Sequence, residues 1–243
     1  MKHKVIAAGM LAAGMFGLNV AQASLVSVGT GLVYDSVANV TWSSDANLLG
    51  TMEAANPNLI SQIISAVPTV HDTPNLFDNA GPGNYNLSAS DFYTAGHADW
   101  FGSMAFIGYL NSVNYLGHNT WELPTTYDQT CGGYNCTNSM LGELFYTALG
   151  GTAGTTMPAS GLFTNVQADY WSGTEANALL GWSFATVSGY QSGSYKPSSF
   201  FSWAVLPGNA GTVRTPGAAV PEPAGLALFG LGLLGLMAGR RRG

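Results

Sequence analysis

The sequence predicts an α+β domain in which a small, twisted antiparallel sheet packs against two or three helices. Short β-prone runs bounded by turn residues occur in the first and last parts of the central region, and apolar residues recur at helical spacing between them. Each end of the chain is instead an apolar run flanked by basic residues, which is not the pattern of a folded core. We therefore predict one domain between two terminal segments of a different kind.

The N-terminal segment has the three parts of a secretory signal peptide. Two lysines precede a short apolar run, and Ala21 and Ala23 supply the small residues of an A-x-A cleavage site before Ser24. A buried N-terminal helix is the alternative, but it would not require these features together. The sequence thus predicts a signal helix over residues 1–23, signal peptidase as a transient partner, and a mature chain that begins at Ser24.

The predicted domain is acidic and almost free of basic residues. Between Ser24 and Ala219 lie twelve of the thirteen acids but only Lys196 and Arg214 as bases, so the formal net charge of this region is −10. A nucleic-acid-binding protein needs a basic surface, which excludes nucleic acid as a partner. An acidic surface also repels sulfated or phosphorylated polymers, which leaves neutral or cation-bridged partners.

The predicted domain begins with a hairpin. Leu32–Tyr34 and Val40–Trp42 are β-prone, and residues 35–39 between them form a longer turn. A first helix follows in NPNLISQIISAVP, where five apolar residues line one face: Leu59, Ile60, Ile63, Ile64 and Val67. Pro68 ends this helix, and residues 69–90, rich in Pro, Gly and Asn, are predicted to form an ordered loop.

Two further helices and a set of strands complete the predicted domain. Apolar periodicity predicts helices over Ala98 to Val113 and over Ser139 to Leu149. Tyr170–Trp171 is predicted to form a strand, and Trp182–Val187 to pair with Phe200–Leu206. The glycine-containing segment GYQSGSYKPSS would connect the last two strands.

Two cysteines lie close together in CGGYNC. In an oxidising compartment, a disulfide between Cys131 and Cys136 that fixes a local turn is the leading prediction. A metal site is the alternative, but it would need further ligands at matching spacing. The sequence offers neither a second cysteine pair nor an adjacent histidine.

No motif with a specific catalytic signal is present. The sequence lacks G-x-S-x-G, a P-loop, H-E-x-x-H and a D-x-D-x-D-G calcium loop. His71, His97 and His118 are isolated in sequence, so we predict no metal ligands and no catalytic residues. The alternative is that His97 and Asp99 hold a metal with further ligands supplied by the fold. Calcium stays open as a cofactor, and the many acids leave a carboxylate pair for glycoside hydrolysis open.

Aromatic residues are the most suggestive feature of the predicted domain. Exposed Trp or Tyr rings bind the apolar faces of neutral sugars. The alternative, which we favour for any single tryptophan, is that the ring fills the core. The tryptophans are Trp42, Trp100, Trp121, Trp171, Trp182 and Trp203.

Two segments match the pattern of a known domain family. NTWELPTTYDQTC, with the helix after it, and DYWSGTEAN, with the aromatic strands after it, resemble a domain first named as of unknown function and also found at the C-terminus of bacterial collagen-like adhesins. The resemblance covers residues 31–208 and implies an adhesin-like domain. The matching residues are Trp121, Leu123, Pro124, Thr125, Tyr170, Trp171, Ser172 and Thr174.

The chain departs from that family at two places. Glu122 stands where the family has Arg, and residues 204–207 lack a terminal Arg, so polyanion binding is not expected. The L-P-T segment is also similar to one in formylglycine-generating-type and C-type-lectin-like folds, which favours a C-type-lectin-like arrangement. The motif equally fits a structural role, because Trp121 can pack, Pro124 can set a turn and Thr125 can begin the next segment.

The C-terminus carries the sharper resemblance. A Pro/Gly/Ala-rich linker over residues 209–219 follows the domain predicted over 24–208. An apolar run over 224–239 comes next, between a Pro-Glu-Pro motif and three arginines, and residues 220–243 together look like a PEP-CTERM sorting signal. The residues of this motif are Val220, Pro221, Glu222, Pro223, Arg240, Arg241 and Arg242.

The physical properties of the apolar run agree with this resemblance. As a transmembrane helix it would be about 24 Å long, slightly under the roughly 30 Å hydrocarbon core, and its arginines would stay cytoplasmic. A buried core helix is the alternative. A terminal run that follows a linker and ends in arginines is not typical of a core helix.

Together, these features predict an exported protein that is not an enzyme. A PEP-CTERM signal implies an exosortase as a partner, transient residence in the inner membrane, and then transfer to the cell surface or the extracellular matrix. The domain is expected to bind or organise exopolysaccharide or another envelope component of a biofilm matrix. A glycan-active enzyme with a carboxylate pair and a purely structural matrix protein are the two alternatives.

Overall fold

The computed structural model of the chain describes residues 25–78 and 83–211. Within them, three sheets and four α-helices form a mixed α+β fold, so the predicted class is confirmed, whereas the prediction of a single sheet is wrong. The predicted signal helix and the helix predicted over 224–239 lie outside the described residues. Inside the described ranges, no helix is long and apolar enough to cross a membrane.

The regular elements are short and numerous. Along the described residues the strands are β1 (Leu25–Gly29), β2 (Leu32–Asp35), β3 (Val40–Ser43), β4 (Thr69–His71), β5 (Asn84–Asn86), β6 (His97–Ala98), β7 (Asp169–Asn177), β8 (Leu180–Ala185), β9 (Tyr190–Tyr195), β10 (Phe200–Phe201) and β11 (Val205–Pro207). The α-helices are α1 (Leu48–Ala55), α2 (Leu59–Ala66), α3 (Trp100–Ser112) and α4 (Met140–Glu143).

The first sheet joins the two ends of the domain in the order β1-β2-β3-β11, with every pair antiparallel. The predicted hairpin is confirmed, since β2 and β3 pair with Val33 opposite Trp42. On its other side β3 pairs with β11, where Val205 lies opposite Trp42. Residues from the beginning and the end of the domain therefore lie in neighbouring strands.

The second sheet has the order β6-β10-β7-β8-β9 and is not wholly antiparallel, because β10 runs parallel to β7. The predicted pairing of Trp182–Val187 with Phe200–Leu206 is wrong. β8 pairs instead with β7 and with β9, which lies in the segment predicted as a connection. β9 is polar, and its Ser194 hydroxyl lies 2.8 Å from the Ser183 hydroxyl of β8, so it carries no apolar alternation to mark it as a strand.

The third sheet is a hairpin of β4 and β5, with Val70 opposite Tyr85. It lies in the stretch of residues 69–90 that was predicted to be a loop, so that prediction is wrong for these strands. Each strand has only three residues, which is too few for a periodic pattern to be recognised.

The helices agree with the sequence where the apolar periodicity is long. The helix predicted from Leu59 is confirmed as α2, and the helix predicted over Ala98 to Val113 is confirmed as α3, which starts and ends slightly inside that range. The third predicted helix forms in part, because α4 continues as a π-helical turn over Leu144–Ala148. The sequence does not predict the helix α1; it is capped by Asn47, whose side chain accepts the Gly50 amide at 3.3 Å.

The core consists of two aromatic-rich clusters. One is centred on α2 and α3 and includes Phe101, Phe106 and Trp171. The other lies between the strands and α4 and includes Trp42 and Trp203, whose ring centroids are 5.1 Å apart. Bulky rings supply much of the buried area of this glycine-rich domain.

Every tryptophan of the sequence is buried, with exposed fractions between 0% and 7%. The interpretation of the tryptophans as core residues is confirmed, and the hypothesis that exposed tryptophans bind sugars is wrong. Several indole N–H groups donate to backbone carbonyls, such as Trp171 Nε1 to Ala98 O at 3.1 Å and Trp203 Nε1 to Ser43 O at 2.9 Å. The tryptophans therefore join elements both by packing and by hydrogen bonds.

Gly142 in α4 gives a test of this packing. A Cβ at this position would lie 1.8 Å from the Cys136 carbonyl oxygen. Because this oxygen belongs to the backbone, no side-chain rotation can relieve the clash. We expect Gly142→Ala to lower the free energy of unfolding by at least about 2 kcal/mol, measured by urea denaturation. The control is Gly132→Ala, because a Cβ there would meet nothing closer than 3.9 Å. Equal stability of the two variants would contradict the prediction.

Candidate functional site

The two family-like segments, far apart in sequence, lie against each other. The Pro124 carbonyl accepts hydrogen bonds from the Ser172 hydroxyl at 2.7 Å and from the Gly173 amide at 2.9 Å. The Thr174 hydroxyl accepts the Thr126 amide at 2.9 Å, and the Thr126 hydroxyl donates to Ser172 Oγ at 3.1 Å. We call these contacts between residues 124–126 and 172–174 the clasp.

The clasp is tied to both α3 and α4. Trp100 Nε1 in α3 donates to the Ser172 carbonyl at 2.9 Å, and the Met140 amide in α4 donates to the Thr125 carbonyl at 2.9 Å. Trp121 is held nearby by Asn111, whose side chain accepts the Trp121 amide at 2.6 Å and donates to its carbonyl at 2.9 Å. The family-like residues thus pack and position elements.

A cleft of about 380 Å³ opens beside the clasp. Its lining residues are Met104, Ile107, Trp121, Glu122, Leu123, Thr125, Gly173 and Thr174. Glu122 is the one charged residue among them, and burial raises the pKa of its carboxyl. Its backbone pairs with Val205, with hydrogen bonds of 2.9 and 3.0 Å, so Glu122 is fixed at the edge of β11. A single carboxyl of this kind does not supply the pair that glycoside hydrolysis requires.

A second pocket, of about 280 Å³, has no charged residue in its lining. It is formed mainly by residues 156–160 and 166–168, with Phe163 and Val187 among its apolar side chains. Its polar side chains are neutral, namely Thr156, Ser160, Gln167 and Thr186.

The predicted disulfide between Cys131 and Cys136 is confirmed. The loop that it closes is also attached to the edge strand β9, because Gly133 and Gln191 exchange backbone hydrogen bonds of 2.7 and 2.9 Å. The Gln191 side chain donates to the Cys131 carbonyl at 2.8 Å. The covalent bond and these hydrogen bonds fix the loop on the sheet.

Two tyrosines on this surface remain accessible. Tyr134 lies at the tip of the disulfide loop and Tyr190 at the start of β9; they are 48% and 44% exposed. Their ring centroids are 5.1 Å apart and their planes are inclined by 82°. We call them the tyrosine pair. The backbone below it is fixed further by Tyr146, whose hydroxyl accepts the Asn135 amide at 3.0 Å and donates to the Gly189 carbonyl at 2.6 Å.

Two carboxyl groups lie close together at the start of α3, but both are buried. Asp99 caps the helix by accepting the Gly102 amide at 2.8 Å, and Asp91 accepts the Tyr85 hydroxyl at 2.7 Å. Burial, reinforced by the negative charge of Asp91, raises the pKa of Asp99 to about 8. Because Asp91 and Asp99 are less than 5% exposed, a substrate cannot reach them from solvent.

The histidines lie apart from one another and make local contacts. His97 packs on Phe201 with ring centroids 3.8 Å apart, His71 lies 3.3 Å from the Thr73 hydroxyl, and His118 meets the Trp121 ring edge-on. Among residues 25–78 and 83–211, no group of three or more His, Cys, Asp or Glu side chains is placed to hold a metal ion.

Asp99 gives a prediction about pH. Its folded-state pKa of about 8 lies above that of an unfolded aspartate, so its contribution to stability is lost as the pH rises from about 4 to about 8. Asn also caps helices but stays neutral, so Asp99→Asn should be more stable than the wild type at pH 7, by on the order of 2 kcal/mol, and not at pH 4. Urea denaturation at both pH values measures the difference.

The control for this prediction is Asp128→Asn. Asp128 is half-buried, and hydrogen bonds from Thr130 lower the pKa of its carboxyl, the opposite direction to the shift at Asp99. If Asp99→Asn changes the free energy of unfolding by the same amount at pH 4 and pH 7, the folded-state pKa of Asp99 is not raised and the prediction is wrong.

Comparison with known proteins identifies the C-terminal segment. Residues 219–242 match the PEP-CTERM protein-sorting motif, which confirms the sorting signal predicted there. No curated protein and no solved structure matches the chain, so the family of the core domain is not identified and its resemblance to the adhesin-associated domain stays a prediction. The motif implies processing by an exosortase, and hence an exported protein that is sorted to the cell surface.

Proposed function

We propose that the domain is a non-enzymatic binding module that attaches to a neutral exopolysaccharide of the producer's own matrix through the tyrosine pair. The observation that carries this proposal is the pair of half-exposed rings of Tyr134 and Tyr190, side by side on a loop fixed by a disulfide. Sugar rings present C–H groups that pack on aromatic faces. A fixed loop also reduces the ordering entropy that binding costs.

The charge of the domain favours a neutral polymer. Lys196 is the one lysine or arginine among the described residues, and it is fully buried, so the surface they form offers neither a lysine nor an arginine to an anionic chain. Around the tyrosine pair, exposed Asn135 and Thr137 supply amide and hydroxyl groups for the hydroxyls of a sugar. Calcium bridging would extend the same surface to acidic polymers.

The alternative of a glycan-active enzyme is less well supported. It needs two carboxyl groups facing a substrate across a cleft. The close Asp91–Asp99 pair is buried, and the cleft beside the clasp is lined by Glu122 alone among acids. A purely structural matrix protein is the other alternative. It would not explain why two aromatic rings lie exposed on a fixed loop.

We also propose the route by which the domain reaches the surface. Signal peptidase cuts between Ala23 and Ser24, the run over 224–239 holds the chain transiently in the inner membrane, and an exosortase cuts near Val220–Pro223. The domain over residues 24–208 and the linker over 209–219 then stay outside the cell. A C-type-lectin-like arrangement, a fold used elsewhere to bind sugars, would suit this role.

The processing is tested by intact mass. We expect the pool recovered from the cell surface or the medium to begin at Ser24 and to end between Val220 and Pro223, because the Pro-Glu-Pro segment marks the cut. Reduced and unreduced samples should differ by the two hydrogens of one disulfide. A surface pool that retains Arg240–Arg242 would contradict the proposed cleavage.

The binding is tested by substituting the tyrosine pair. We expect Tyr134→Ala and Tyr190→Ala each to weaken binding to the purified neutral polysaccharide of the producer's matrix about tenfold, since one aromatic contact contributes on the order of 1.4 kcal/mol. Affinity electrophoresis or calorimetry measures the change.

The matched control is Tyr93→Ala, which removes an exposed tyrosine that belongs neither to the disulfide loop nor to β9 and should leave binding unchanged. The acidic polysaccharide fraction, with and without Ca²⁺, is the second probe. The proposal fails if the wild type binds neither fraction, or if all three variants bind equally well.

A further inference from the structure

The one lysine or arginine among the described residues lies in the interior between two acids. Lys196 and Asp72 are fully buried, whereas the Glu175 side chain is 34% exposed. Lys196 Nζ lies 2.5 Å from Asp72 Oδ1 and 2.5 Å from Glu175 Oε1. The site has no part in the clasp, in the tyrosine pair or in the sorting motif, and the proposed function does not use it.

Aromatic rings enclose the amine. Nζ lies 4.7 Å from the centroid of the Trp100 ring and just under 6 Å from the rings of Phe77 and Phe101. Phe77, in the loop that follows Asp72, also packs on Tyr195, with ring centroids 5.7 Å apart. These two rings cover the amine on that side. Water is thereby kept from the two side chains that would react.

The three side chains come from separate elements that are each held in place. The backbone of Lys196 donates to the Leu179 carbonyl at 3.0 Å and accepts the Trp100 amide at 2.9 Å. Asp72, directly after β4, donates its amide to the Gly83 carbonyl at 3.0 Å. Glu175 lies in β7, where the register with β8 shifts. The amine is therefore presented to the carboxyl in a fixed position.

As an ion pair the arrangement is incomplete. Asp72 Oδ2 is buried, and no donor within the described ranges reaches it. A carboxylate oxygen without a partner is costly in the interior, because no water compensates its charge. Conversion of the ammonium and the carboxylate into an amide removes both charges and leaves a neutral carbonyl.

We propose that Lys196 and Asp72 form an intramolecular isopeptide bond, with Glu175 as the catalytic residue that transfers the proton. A nitrogen in hydrogen-bond contact with one carboxyl oxygen lies roughly 3–3.5 Å from the carboxyl carbon, which is the separation from which attack begins. The reaction needs no oxidant, cofactor or second protein.

The steps balance as follows. A proton passes from the Lys196 ammonium to the Asp72 carboxylate, which gives a neutral amine and a carboxylic acid. Nζ attacks Cγ and forms the C–N bond; Glu175 takes a proton from the nitrogen and delivers it to the departing hydroxyl. The C–O bond breaks, one water leaves, and Glu175 is again a carboxylate that can accept the N–H of the new amide.

The bond would link parts of the chain that are distant in sequence. The disulfide joins residues five positions apart, whereas Asp72 and Lys196 are separated by 124 positions. The cross-link would fasten the β4–β5 hairpin to the segment between β9 and β10. A surface protein outside the cell gains resistance to unfolding and proteolysis from such a link.

The test is the mass of the full chain after export by its producer, measured after reduction. Once the two ends of the exported chain are known, its mass can be calculated from the sequence between them. We expect the measured mass to be lower than this calculated mass by one water molecule. We also expect a chymotryptic digest to contain one branched peptide that joins Asp72 to Lys196. A chain of full mass overturns the proposal. A water loss without the branched peptide also overturns it, because cyclisation within one peptide gives the same mass.

Variants separate the roles. Lys196→Met and Asp72→Ala should each have the mass calculated from their sequence, without the loss of water. If either variant fails to fold, the mass of the wild type still decides whether the bond forms. Glu175→Gln should form the bond about 100-fold more slowly or not at all. Glu143→Gln, a partly buried glutamate in α4, is the matched control and should form it normally. Equally fast formation in both glutamine variants removes Glu175 from the mechanism.

Discussion

The Pro124 carbonyl is the acceptor on which the arrangement of the core depends. It receives the Ser172 hydroxyl and the Gly173 amide, and so uses both of its lone pairs inside the protein. Each such bond contributes about 1 kcal/mol net, but a buried acceptor left without a donor costs about 1–3 kcal/mol. Through Ser172 the carbonyl is connected to Trp100 in α3, and through its neighbour Thr125 to α4. A segment with little regular structure therefore positions both helices and the second sheet.

An element could be predicted from the sequence when its pattern of residues was long or its chemistry was local. The apolar faces of α2 and α3 extend over two or more turns, and both helices were found. The pair Cys131 and Cys136 was found because its chemistry is local. The strands β4 and β9 are not predicted, for different reasons: β4 is too short to show a period, and the interior of β9 is polar or glycine, without the apolar alternation that marks a strand. No sequence pattern could show that Lys196 meets Asp72, because that contact depends on the whole fold.

The candidate binding residues also fall into those that the sequence could predict and those that it could not. The sequence predicts both tryptophan and tyrosine as candidate sugar contacts, and the fold separates the two residue types. The tryptophans fill the interior, whereas Tyr134 and Tyr190 are exposed. A signal for this existed in the sequence, since Tyr134 lies inside the cysteine loop, where a small closed turn cannot bury a large ring. Tyr190 gave no such signal, because its exposure follows from the edge position of β9.

The pairing of β3 with β11 bears on the order of export and folding. Val205 lies opposite Trp42, and Gly208 and Ala210 still bond to Asn39 and Thr41 with distances of 2.9 and 3.0 Å. Contacts so distant in sequence form only after a large loop has closed, which makes them late in folding. The first sheet cannot be complete before the chain as far as β11 has left the cytoplasm. The proposed cut near Val220–Pro223 comes after this strand, so cleavage releases a domain without removing any strand from its sheets.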